Sequence, residues 1–261
     1  MCLQAPRKPH RMLTRRQFLK RSREFKSALE KVKQDNPPEE YTWYGYDILS
    51  NAEVIASLVK QSGRKDFFGR LDGNRVADIG AADGDLAYFF ESLGARVDIL
   101  DYAPTNWNGL RGAKALKERL DSSVDIHEID LDSQFDLPSD RYEVVLLLGI
   151  LYHLKNPYYV LEKLGGVTQH LFLTTRIVRH PHRDGPDLDK VPMAYLVGPE
   201  ECNNDATNFW MFTYGGLLQL VSRTGWKVLA ADRYGDTVHS NPQDLDRDER
   251  AVMFLERAAA G

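Results

Sequence analysis

The sequence predicts an α/β fold in which seven strands alternate with helices, and three observations lead there. Residues 76–91 (VADIGAADGDLAYFFE) read as a buried strand, a glycine turn and a helix in immediate succession. Residues 142–149 (YEVVLLLG) form the most continuously apolar run, as expected of a central parallel strand covered on both faces. Further strand-type runs at 96–101, 124–129, 170–178, 226–231 and 250–257 are mostly separated by stretches of helical periodicity. The 261 residues, 43% of them hydrophobic, suffice for one such domain plus an appendage, whereas two enzymatic domains would be crowded.

Taken in order, the chain opens with a basic segment. Up to Asp35 it holds eleven basic and three acidic residues, a net +8, which leaves −12 for the remainder of a chain whose total is −4. Thr14 and Gln17 are spaced as a capping box, and Phe18, Phe25, Leu29 and Val32 then fall on one helical face. Such a basic amphipathic helix either touches RNA or another polyanion, or lies on an acidic surface of its own chain or a partner subunit. Residues 36–40 (NPPEE) break it and act as a linker. Residues 41–47 (YTWYGYD) place four aromatics around Gly45, dense enough to wall a ligand or to pack a lid. Ser50 and Glu53 are spaced as a second capping box for a helix to Ser62, closed by Gly63.

The turn after the first strand decides the ligand by charge. Gly80 and Gly84 let the backbone approach a bound molecule, and Asp101 ends the second strand where an acidic side chain can hold ribose hydroxyls. A dinucleotide fold needs G-x-G-x-x-G with phosphate on bare amides, but here Asp83 and Asp85 stand in the turn and would repel phosphate. No G-K-[ST] follows, which excludes a phosphate-binding P-loop. A nucleoside carrying an ammonium and a sulfonium, as S-adenosyl-L-methionine does, would find those carboxylates favourable.

Asp78-Ile-Gly80-Ala-Ala82-Asp-Gly84, followed by an acid ending the next strand, resembles the first two motifs of the class I S-adenosylmethionine-dependent methyltransferases. The resemblance runs from about residue 41 to the C-terminus, with Ala82 where the family often has a middle glycine. It implies a Rossmann-like mixed seven-stranded sheet with helices on both faces and an antiparallel last strand, preceded here by the N-terminal helical extension. Residues 1–40 are then the basic helix and linker, and 41–261 the methyltransferase domain. The implied cofactor-binding residues are Asp78, Gly80, Ala82, Gly84, Asp101, Tyr102, Asp130, Leu131 and Gly149. Asp130 is the expected partner of the adenine amine, with Asp132 and Asp136 as rivals. Residues 151–157 (LYHLKNP) resemble the corresponding segment of the tRNA wobble-uridine carboxymethyltransferases, which implies that Tyr152 lies near the transferred group. That family carries a lysine-bearing R-K-G-P segment where this chain has Asn36-Pro-Pro-Glu-Glu, so ordinary S-adenosylmethionine is favoured over its carboxylated relative.

After the second strand, residues 105–120 read as a helix with Leu110, Ala113, Leu116 and Leu120 on its apolar side, and residues 157–164 as another. Residues 179–213 are too long for an ordinary connection and are expected to form an acceptor lid. A helix over 214–224 and a polar loop over 235–249 follow. The candidate acceptor-binding side chains are Tyr44, Tyr152, Arg176, Asn208, Trp210 and Tyr214, with Arg250 as a further conceivable carboxylate partner. His153, just beyond the fourth strand, is the candidate base for a hydroxyl acceptor, with His180 in reserve. Zinc through His180 and His182 lacks a third ligand of suitable spacing, and no metal is expected. Two cysteines, Cys2 and Cys202, form neither a disulfide framework nor a zinc site. With no run of 18 apolar residues and no secretory h-region, a cytoplasmic enzyme is expected. The function this favours is methyl transfer to a small hydroxyl-bearing molecule. The alternatives are a tRNA wobble-uridine (carboxy)methyltransferase using the basic helix as an RNA clamp, and a non-catalytic cofactor-binding module. The oligomeric state is unassigned.

Overall fold

The computed structural model describes residues 13–258, so Cys2, Arg7, Lys8 and Arg11 of the basic segment lie outside the described residues. The Thr14 capping box forms: its hydroxyl accepts the Gln17 N–H at 3.3 Å while the Gln17 side chain takes the Thr14 N–H at 2.9 Å. It starts helix α1 (Arg15–Asp35). The second expected box does not form. Ser50 donates its hydroxyl to the Asp47 carbonyl, because a 3₁₀ turn (Ile48–Ser50) leads straight into α2 (Asn51–Ser62). Gly63 closes α2 in the left-handed region, as expected.

Strand β1 (Arg75–Ile79), helix α3 (Asp85–Ser92), strand β2 (Arg96–Asp101), helix α4 (Arg111–Arg119) and strand β3 (Asp125–Glu128) build the first half of the sheet. The expected start of α4 at residue 105 is wrong by six residues. Asn106 Oδ1 takes the N–H groups of Asn108 and Leu110, Asn108 Oδ1 takes that of Gly112, and Leu110 sits at φ 65°. These side-chain bonds compete with the helix and hold a loop instead. Strand β4 (Val144–Leu148), helix α5 (Pro157–Leu164) and strand β5 (His170–Ile177) build the second half, with Asn156 capping α5 and proline in its first turn. Residues 179–213 contain an unforeseen hairpin of three-residue strands, β6 (Ala194–Leu196) and β7 (Trp210–Phe212). Helix α6 (Tyr214–Arg223), strand β8 (Trp226–Gly235) and strand β9 (Glu249–Arg257) end the described chain.

All seven expected strands form, and the hairpin adds two. The sheet runs β3-β2-β1-β4-β5 in parallel, and β9 lies antiparallel between β5 and β8. Two apolar layers cover its faces. One contains Phe18 of α1 with Phe68, Phe89 and Phe90, and the other packs α5 and α6 through Leu161, Leu217 and Trp226. Phe18 is fully buried, with its ring centroid 4.4 Å from that of Phe68, so α1 shares the core of the sheet. Among the described residues no helix is long and apolar enough to cross a membrane.

Candidate active site

The chain leaves β1 towards β2 and β3 on one side and places β4 and β5 on the other, so the crevice at the carboxyl ends of β1 and β4 is the topological switch point. Two glycines shape it. Gly80 (φ 67°) donates its N–H to the Leu100 carbonyl at 2.8 Å, and a Cβ there would stand 2.1 Å from Cδ1 of Ile150. Its bareness therefore serves packing of the β4 loop. Gly149 (φ 79°) differs: a Cβ there would have nothing nearer than the Tyr152 hydroxyl, at 4.0 Å. Ala82 adopts φ 57°, the left-handed region that disfavours a Cβ by about 1–2 kcal/mol. Gly84 (φ 83°) then leads into α3.

Asp78 and Asp101 flank this turn. Asp78 is 4% exposed, and its Oδ2 is buried without a hydrogen-bond partner. Burial, helped by the charges of Asp101 and Asp85, pushes its carboxyl up to about 7, against the favourable N–H of Ala87. Asp101 accepts the Tyr102 N–H at 2.8 Å on one oxygen and the Asn106 amide at 2.9 Å on the other. The Ala82 N–H is a third donor to this carboxylate, which leaves one lone pair for a hydroxyl. Asn106, which the sequence reading passed over, also donates to the Ala82 carbonyl at 3.4 Å and so ties the two halves of the turn together.

Asp83 and Asp85 do not face a cationic ligand as expected. Lys33 of α1 reaches Asp83 at 3.1 Å and Asp85 at 2.7 Å, and the two carboxylates are spent on this intrachain pair. Asp83, fully buried, also accepts the Tyr44 N–H and the Asn108 amide, each at 2.8 Å. Lys26 likewise pairs with Asp47 at 2.5 Å. The basic helix thus neutralises acids of its own chain, one of the two roles open from sequence. Tyr44 is held from both ends, its hydroxyl accepting the Trp107 N–H at 2.7 Å. The 41–47 segment becomes a strap from α1 across the turn to the loop before α4, with Trp107 (75% exposed) and Tyr46 (66%) at its rim.

Of the three acids after β3, Asp132 takes the Lys155 N–H at 2.7 Å and Asp136 pairs with Lys163 at 3.0 Å, both structural uses. Asp130 has one oxygen on the Asp132 N–H, and Leu131 beside it is buried.

A second group of side chains gathers over β4, β5 and β9. Arg176 and Arg250 are register partners across β5 and β9, and their Nε atoms reach opposite oxygens of Asp248, at 2.6 and 2.9 Å. The Arg250 guanidinium lies 5.9 Å from the Tyr152 ring centroid, and the Tyr152 ring lies 4.1 Å from that of His153. Asn208 is 5% exposed, donates to the Cys202 carbonyl at 2.9 Å, and keeps its Oδ1 buried without a partner. Trp210 donates its indole N–H to the Lys155 carbonyl at 3.3 Å. Tyr214 stands apart, its ring 4.6 Å from the Arg233 guanidinium. Arg233 belongs with Asp189 and Glu249, and Glu249, adjacent to Arg250 in β9, projects to the other face of the strand. Both ring nitrogens of His180 face backbone carbonyls, those of Gly185 at 2.8 Å and Val238 at 3.0 Å, so it clamps a loop instead of serving as a base.

No family model and no curated protein matches the chain. Solved structures match it in fold. The N-terminal domain of EvdMO1, crystallised in the presence of SAH and D-fucose, shares 16% identity at a TM-score of 0.56, over 89% of this chain and 96% of that one. An S-adenosylmethionine-dependent methyltransferase from Mesorhizobium loti shares 18% at 0.52, over 72% and 92%. The [4+2]-cyclase SpnF shares 11% at 0.55, over 95% and 97%. The chain has the Rossmann-like fold of these proteins. Since one of them is a cyclase, the reaction has to be argued from the site.

Proposed function

We propose that the chain binds S-adenosylmethionine at the β1–β4 switch point and transfers its methyl group to a small hydroxyl-bearing acceptor held beneath the 179–213 lid. The observation that carries this reading is the pair of carboxylates at the crevice, Asp78 with an orphaned buried oxygen and Asp101 with one unfilled acceptor position. Asp78 suits an ammonium, Asp101 a ribose hydroxyl, and Asp130 with Leu131 an adenine edge. Gly149 leaves room beside Tyr152 for the reacting centre. When bound, the cofactor supplies a methyl group on a sulfonium, an electrophile that needs alignment more than acid–base assistance. The chain's part is to hold the acceptor in line through Tyr152, Arg176 and Asn208, to exclude water with the strap and lid, and to take the hydroxyl proton at His153. Burial holds His153 below its ordinary range, so it is neutral and able to accept a proton near pH 7.

RNA is the weaker reading, because Lys26 and Lys33 are already spent on intrachain acids. Transfer of labelled methyl groups, assayed over a panel of small alcohols and phenols alongside bulk tRNA, tests the choice. Label in the small molecules alone is expected, and label confined to tRNA would reverse it.

The Asp78 carboxyl makes binding pH-dependent. Below about 7 the free chain carries a proton there, and an ammonium alongside favours the ionised form, so binding expels that proton. Affinity should rise as pH increases from 5 to 7, by up to about tenfold per unit, and then level off. Calorimetry at pH 6 in buffers of different ionisation enthalpy should report release approaching one proton, and almost none at pH 8.5. In the ligand-free chain the same group has the opposite effect on folding. The native state keeps a proton that the unfolded chain loses above 3.8, so stability falls as pH rises from there to about 7.

A further inference from the structure

His153 is joined through Thr207 to Asp205, more than fifty residues away in sequence, and the donors and acceptors in that chain determine which ring nitrogen carries a proton. The Thr207 hydroxyl lies 2.6 Å from Asp205 Oδ1, a separation at which its only hydrogen is committed to the carboxylate. The same oxygen lies 3.0 Å from His153 Nδ1, to which it can offer only a lone pair. The Thr207 carbonyl, which has no hydrogen at all, also lies 3.0 Å from Nδ1. Two acceptors converge on one nitrogen, so Nδ1 must be the donor. In the neutral ring the lone pair is then left on Nε2.

We propose that Thr207 and Asp205 are positioning residues for His153: they fix its Nδ1–H tautomer, make Nε2 the proton-accepting atom, and stabilise the imidazolium once it has formed. The proposal rests on the methyltransferase reading only for the identity of the proton donor. In the step it serves, the acceptor O–H bond breaks and the proton passes to Nε2. The bonding pair remains on oxygen and forms the new bond to the methyl carbon, while the pair of the breaking carbon–sulfur bond leaves on sulfur. Positive charge developing on the ring is met by Asp205 through the Thr207 hydroxyl. The guanidinium groups of Arg176 and Arg250 oppose it, and Tyr152 covers one face of the ring. Asp205 is itself anchored, since its Oδ1 also accepts the Thr207 N–H at 2.9 Å, so it is held facing Thr207 before any ligand arrives.

The test uses ¹⁵N NMR of the whole chain with labelled histidine, assigned through a His153→Gln variant, and needs no acceptor. The expected spectrum shows His153 as the Nδ1–H tautomer. In Asp205→Asn, whose amide oxygen can still accept both Thr207 bonds, loss of the charge should lower the imidazole pKa by about half a unit or more. Thr207→Val should shift the ring toward a mixture of tautomers, and Thr207→Ser should restore the single one. Once an acceptor is in hand, Asp205→Asn should move the acid limb of the kcat/KM profile by the same amount and leave KM nearly unchanged. A ring found as Nε2–H, or an imidazole pKa unmoved in Asp205→Asn, would overturn the proposal. Failure of S-adenosylmethionine to bind would instead overturn the function and leave the tautomer result standing.

Discussion

Asp101→Ala is expected to weaken S-adenosylmethionine binding by about 10-fold to 150-fold. The reasoning is a count of lone pairs. The Asp101 carboxylate already takes three internal donors, the Tyr102 N–H, the Asn106 amide and the Ala82 N–H, and has one position left. A ribose hydroxyl would fill it, and a hydrogen bond to a charged group is worth about 1.5–3 kcal/mol, which is the loss expected. Folding should suffer less, because Asp101 sits at the half-buried end of β2. Equilibrium dialysis paired with thermal melts separates the two effects. A variant that melts like the parent and binds within threefold of it would remove Asp101 from the site.

For Asp83→Ala the large effect is on stability. Asp83 is completely enclosed and receives donors from α1, from the strap and from the loop before α4. Truncation strands the Tyr44 N–H, leaves the Asn108 amide with the Thr42 carbonyl only, and leaves Lys33 with Asp85 and the Trp43 ring. Breaking a buried pair by removing one partner costs about 3–5 kcal/mol. For a chain of this size the melting temperature should fall by roughly 6–10 °C. Because the strap adjoins the cofactor turn, protease sensitivity near residues 36–47 should rise as well. A loss below about 1 kcal/mol would show that α1 and the strap are held by their apolar contacts, Phe18 above all.

What could be read from the sequence is what local chemistry dictates. The strand–turn–helix over 76–91 announces itself because Gly80 and Gly84 take positive φ and the flanking runs are apolar. Asp101 follows because it ends the next strand. The Thr14 cap, the Gly63 stop and the Phe18 face of α1 are likewise determined within a few residues. The remainder depends on pairings across long separations. The charge of Lys33 was visible, but its partners lie fifty residues on, so the turn acids were assigned to a ligand when they belong to the helix. Arg176 and Arg250 could be named but not joined, because their meeting on Asp248 follows from the antiparallel register of β5 and β9. The strands β6 and β7 are too short to show a period. Asn106 and Asn108 resemble ordinary loop residues until the backbone groups they satisfy are seen, and the Thr207 link to His153 exists only once the lid folds back.

The measurement closest to the central claim is calorimetric titration of the chain with S-adenosylmethionine, its carboxylated analogue and NAD, each also against Asp101→Ala. Saturable binding of S-adenosylmethionine in preference to the other two, weakened in the variant, is the predicted result. Tighter binding of the carboxylated form would transfer the chain to carboxymethyl chemistry, with Arg250 and Tyr152 as the carboxylate's nearest candidates. Binding of NAD, or of none of the three, would contradict the assignment of the Asp78–Asp101 crevice altogether.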